Sequence, residues 1–175
     1  MFKIIMAGEM QKNISTISGK SFEEVRNQLL RRTIRLKERI SQRYDALSQE
    51  SLLDHVKRLL EDLKQKEVED TILIKEAMER GTIHGAQFDK PTENYEILDH
   101  IITEELDDPD PNDLQSVLLS AMKMSNDLHK IFLLMSEEYR TTGIGKFLLT
   151  LAEHEMENKN RLADMYDEMI NKDYW

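Results

Sequence analysis

Leu63-Lys64-Gln65-Lys66-Glu67-Val68-Glu69-Asp70 and Leu151-Ala152-Glu153-His154-Glu155-Met156-Glu157-Asn158 lie 88 residues apart, and each interrupts an apolar helical stripe at the same two places. The first stripe runs Val56, Leu60, Leu63, Glu67, Asp70, Ile74, Ala77 in 4,3 steps, which keeps one line of side chains on one face of a helix. Adding 88 to each position gives Ile144, Leu148, Leu151, Glu155, Asn158, Leu162, Met165. Two further stripes match in the same way. Leu30, Thr33, Lys37, Ile40, Tyr44, Leu47 breaks its apolar run at Lys37, and Leu114, Leu118, Ala121, Ser125, Leu128, Phe132, Met135 breaks at Ser125. Residues 30–78 map onto 118–166 without a gap, so the chain reads as two related helical hairpins.

The remainder of the 175 residues agrees with long helices. Gly occurs 6 times and Pro 3 times, too few for a turn-rich β architecture. The hydrophobic fraction of 39% is patterned, which argues against disorder. Ser21-Phe22-Glu23-Glu24 has the form of a capping box and starts a helix over about 21–50. Ser51 caps a second helix over 51–80, with Gly81 as its stop. Asn112, with Gln115 in the reciprocal position, caps a third over 112–139; Thr141-Thr142-Gly143 breaks the chain before a fourth over 144–170. Residues 1–20 read as an N-terminal arm ahead of a domain over 21–175, and 81–111, with three Pro and an acidic run, as a long crossover. The expected fold is all-α: a four-helix bundle of two antiparallel hairpins joined by that crossover.

Lys37 lies about fifteen residues before the first turn and Glu67 about fifteen after it, so at ~1.5 Å per residue they reach the same height in an antiparallel hairpin. Ser125 and Glu155 flank the second turn in the same way. Glu67 and Asp70, like Glu155 and Asn158, are three apart and share a face. One buried polar layer is expected from Lys37, Glu67, Asp70, Ser125, Glu155 and Asn158.

The segments quoted first, with Ala121-Met122-Lys123-Met124-Ser125 and Phe132, and Lys37 with Tyr44, resemble the ferritin-like superfamily and its rubrerythrin-type domains. The resemblance covers about 30–80 and 114–170. It implies that each hairpin offers a Glu from its first helix, seven residues before an aromatic, and a Glu-x-x-His from its second, the six ligands holding two irons. Here only Glu67 and Glu155 keep the family residue. Asp70 and Asn158 stand where His is expected, and Lys37 and Ser125 stand where Glu is expected, so the diiron site is degenerate and a cation occupies a ligand position.

Three functions are open to this layer and its scaffold. The first is a non-catalytic or binding protein with no cofactor, Lys37 neutralising carboxylates that are costly to bury alone. The second is a metal-binding oxidoreductase or iron-handling protein with a reduced ligand set, a single iron or manganese ion held by Glu67, Asp70, Glu155 and Asn158. On charge grounds one divalent ion is admissible, because Lys37 and the three carboxylates sum to a formal −2. The third is a helical interaction module. No catalytic residue is assigned. His154 is about 100° off the seam and His129 is offset from Leu128, so both read as flank histidines. The sequence contains no phosphate-binding loop, EF-hand or H-x-x-x-H spacing. Zero Cys excludes thiolate sites, and 34 acidic against 24 basic residues disfavour nucleic-acid or anionic-membrane partners. A cytoplasmic homo-oligomer, most simply a dimer through exposed helix faces, is the expectation.

Overall fold

The computed structural model describes residues 22–80, 108–140 and 142–172, and among these the chain is entirely helical, without a strand. Four helices follow in order: α1 (Phe22–Glu50), α2 (Asp54–Glu79), α3 (Leu114–Glu138) and α4 (Gly143–Lys172). The N-terminal arm, the Ser21 cap, the Gly81 stop and residues 81–107 of the expected crossover lie outside the described residues. None of these helices is long and apolar enough to cross a membrane.

Pairing is tightest between α1 and α2 and between α3 and α4. Between the pairs, Asp62 meets Arg161 and Asp70 meets His154, so α2 and α4 run antiparallel. One core joins all four helices, including Leu30, Ile40, Leu60, Leu63, Leu118, Phe132, Leu148 and Leu151. Each such side chain contributes on the order of 1.5–3 kcal/mol by leaving water, which is why the 4,3 stripes decide the packing. The stripes stay inside along nearly their whole length. The exceptions are Leu114 and Asp70, which are partly exposed, and Met165, which is exposed. In the last turns of α4 the partly buried Tyr166 and Met169 pack against the core.

The helix starts correct the sequence reading by a few residues. α2 begins at Asp54 rather than Ser51: Leu53 is its N-cap residue, with no side-chain cap, and its carbonyl accepts from Val56 and Lys57. Ser51 is buried in the turn, where its hydroxyl accepts from the Leu53 amide at 3.3 Å. At α3 the cap is Asp113, which accepts from the Gln115 amide at 3.0 Å, not Asn112. The Asn112 side-chain Oδ1 instead accepts from the Leu52 amide at 2.6 Å, pinning the start of α3 to the α1–α2 turn. At the other end, the Thr142 hydroxyl accepts from the Gly145 amide at 3.3 Å and donates to the Tyr139 carbonyl at 2.7 Å. A Cβ on Gly145 would sit 2.2 Å from that carbonyl oxygen, so only glycine lets α4 leave α3 this closely.

Candidate functional site

Lys37 has no exposed surface and is among the largest fully buried side chains. An unpaired ammonium there would be very costly, so its neighbours decide whether the fold stands. Its Nζ lies 3.0 Å from Oε2 of Glu67 and 2.8 Å from Oδ2 of Asp70, and it donates to Oε1 of Glu155. The charge reaches from α1 to α2 and α4. From α3, the Phe132 ring lies 5.6 Å from the ammonium, within cation–π range.

Asp70 is a bridge. Its second oxygen, Oδ1, is 2.9 Å from Nδ1 of His154, and since a carboxylate only accepts, Nδ1 carries the proton. Across the layer, Asn158 donates through Nδ2 to the Ser125 hydroxyl at 2.8 Å and accepts through Oδ1 from Arg161 at 3.2 Å. All six residues of the expected polar layer are therefore brought together. Five are buried, and Asp70 alone is partly exposed. They divide into two adjoining sets: a charged set of Lys37, Glu67, Asp70 and Glu155, and a neutral pair of Ser125 and Asn158.

Three carboxylates around one ammonium cannot all ionise cheaply. Burial pushes the Glu67 carboxyl up from 4.5 to about 8; Lys37 opposes this, while Glu155 and Asp70 reinforce it. Glu67 therefore tends to hold its proton toward neutral pH. For Lys37, burial alone would lower the ammonium, but attraction to Glu67, Glu155 and Asp70 together outweighs burial and raises it well above the usual 10.5. The Tyr44 phenol is pushed far up by burial first and by Glu67 and Glu155 next, so it remains neutral.

A cleft of about 530 Å³ opens on this cluster, lined by Glu67, Asp70, His154, Glu155, Asn158 and Arg161, with Lys66, Glu69 and Glu157 also contributing. The buried side-chain atoms without a hydrogen-bond partner, among the described residues, are Oε2 of Glu67, Oε2 of Glu155 and Nε of Arg161. All three residues line this cleft. The Glu67 atom lies near the ammonium but without hydrogen-bonding alignment.

These donors do not fit a diiron group. The ammonium stands between the carboxylates where a metal would sit, Asp70 uses both oxygens on Lys37 and His154, and Asn158 commits its carbonyl to Arg161. Among the described residues no group of three or more His, Cys, Asp or Glu is arranged to hold a metal ion. Sequence reasoning passed over two participants. His154 is off the seam and 42% exposed, yet it reaches Asp70; Arg161, three residues past Asn158, lines the cleft and donates to Asn158. The signal for both was their placement one step beside, or three beyond, a polar seam position.

In comparisons with known proteins, no family model, no curated protein and no solved structure matches the chain, so geometry carries the functional argument.

Proposed function

We propose that this chain is a ferritin-like, rubrerythrin-type protein with a degenerate diiron site, in which two hairpins related by the 88-residue offset are joined by the 81–111 crossover, and that it acts by binding rather than by catalysis. The observation that carries this reading is the Lys37 ammonium, buried among Glu67, Asp70 and Glu155. A fixed ammonium supplies the positive charge that the carboxylates need, without redox capacity and without open coordination positions. The matched residues Glu67 and Glu155, Asp70 and Asn158, Lys37 and Ser125 all fall in one region, which supports descent of the two halves from one repeat.

The test is metal content of the purified protein, followed by Fe(II) and Mn(II) titration of the wild type and Glu67→Ala. No stoichiometric binding is expected from either. Binding by the wild type that is lost in Glu67→Ala would overturn the reading in favour of a metal-dependent oxidoreductase or iron-handling protein. The same reading makes the protein a homodimer, and a monomeric mass in solution would remove that part.

A further inference from the structure

All the orphaned buried side-chain atoms among the described residues belong to residues lining one cleft, and they are of opposite kinds: two carboxylate oxygens, on Glu67 and Glu155, and one N–H donor, on Arg161. Buried polar groups normally have partners, and leaving one without costs roughly 1–3 kcal/mol, so the Glu155 oxygen and the Arg161 N–H, with the Glu67 oxygen that lies 3.0 Å from the Lys37 ammonium but out of alignment with it, point to a missing companion. Glu155 is 2% exposed; its other oxygen accepts from Lys37, leaving Oε2 with nothing to accept. The residues around the cavity are predominantly acidic: Glu67, Glu69, Asp70, Glu155 and Glu157 outnumber Lys66 and Arg161, which favours a positively charged visitor.

We propose that this cleft binds a small organic cation of the primary-ammonium class, its ammonium donating to Oε2 of Glu155 and of Glu67, and a neutral acceptor atom of the same molecule receiving the Arg161 Nε hydrogen. The proposal rests on the cluster being a binding site rather than a metal centre. The volume of about 530 Å³ falls in the usual range for small-molecule sites. An N–H-bearing cation is required because the two orphaned oxygens are acceptors needing directed donors, and Lys37 already fills the position that a spherical ion would take. The groups that face Glu67 are Lys37 and Tyr44 from α1, Asp70 from its own helix and Glu155 from α4; α3 brings the uncharged Phe132 to the ammonium. A second cation favours the ionised form of Glu67, so binding near neutral pH should expel the proton held there.

Isothermal titration calorimetry of the full chain with ethanolamine, ethylamine and tetramethylammonium, run in two buffers of different ionisation enthalpy, tests this. Ethanolamine should bind one to one and release a proton, ethylamine should bind more weakly for want of an acceptor, and tetramethylammonium should not bind. Glu155→Gln should weaken ethanolamine about tenfold or more, the loss of one charge-assisted hydrogen bond. Glu67→Gln should abolish the proton release. Arg161→Met removes contacts to Asn158 and to the exposed Asp62 but none to the Lys37 cluster, which keeps the test open if Glu155→Gln does not fold; it should bring ethanolamine down to the affinity of ethylamine. No ethanolamine binding by the wild type, or an undiminished ethanolamine preference in Arg161→Met, would overturn the proposal. Neither of those results touches the degenerate-site reading, which fails instead on Fe(II) or Mn(II) binding that is lost in Glu67→Ala.

Discussion

The helix pairs α1–α2 and α3–α4 carry matching seams, yet they bring different chemistry to the same layer. The first contributes Lys37, Glu67 and Asp70, three side chains that can bear charge. The second contributes Ser125, Glu155 and Asn158, of which only Glu155 can, while Asn158 and Ser125 satisfy each other as neutral partners. Two seams of the same pattern thus bring different physics to one core. The charged set, which draws Glu155 from the second pair, depends on ionic balance among buried groups, where loss of a partner is severe; the Ser125–Asn158 contact is a neutral hydrogen bond, where loss is modest.

That contrast orders three substitutions by size. Lys37→Met removes the positive charge and leaves Glu67, Asp70 and Glu155 facing one another; it should cost about 3–5 kcal/mol, roughly 10 °C in Tm, in the presence of chelator. Equal melting of the variant and the wild type would erase the distinction between the two pairs.

Glu67→Gln should act through pH. The Glu67 carboxyl titrates at about 8 in the folded protein against 4.5 ordinarily, so the folded state holds its proton where the unfolded chain has lost it. Stability due to this group is full below about 4.5 and is lost as pH rises through about 8. The Gln variant lacks that loss, so its stability should gain on the wild type between pH 5 and pH 8, by at most a few kcal/mol, with Tm rising in step, and level off above. Melting curves that stay parallel from pH 5 to pH 9 would show that Glu67 is not the protonated carboxyl.

The smallest effect belongs to the neutral pair. Ser125→Ala leaves Nδ2 of Asn158 without its acceptor and should cost about 1 kcal/mol in urea denaturation. A loss as large as that of Lys37→Met would mean that the neutral pair matters as much as the ionic cluster.

How much of this could be read in advance follows from what each feature depends on. The seams were legible because burial of apolar stripes outweighs local preference, and a 4,3 pattern that pauses at Lys37, Glu67 and Glu155 leaves those residues nowhere else to point. The heights matched because residue counts from the turns convert directly to rise. The caps were less legible. Whether Asn112 or Asp113 caps α3 turns on the dihedrals of one residue, and Asn112 found a better use on the Leu52 amide 60 positions away. His154 escaped for a related reason: periodicity assigns a face, but a long side chain at the edge of that face reaches across to α2. Met165 went the other way, because beyond Leu162 the side of α4 that meets the core passes to Tyr166 and Met169.

The buried ammonium also acts on packings that the protein does not adopt. If α4 slid by one turn along its neighbours, Glu155 would be replaced opposite Lys37 by Leu151 in one direction or by Lys159 in the other. An apolar residue would leave the charge uncompensated, and a second lysine would repel it. A purely apolar seam, in which leucine follows leucine every turn, has no such objection to slipping. Lys37 therefore serves as an alignment mark: it makes one longitudinal setting of the helices acceptable and its nearest rivals untenable, a gain in uniqueness that an apolar side chain at the same place would not bring.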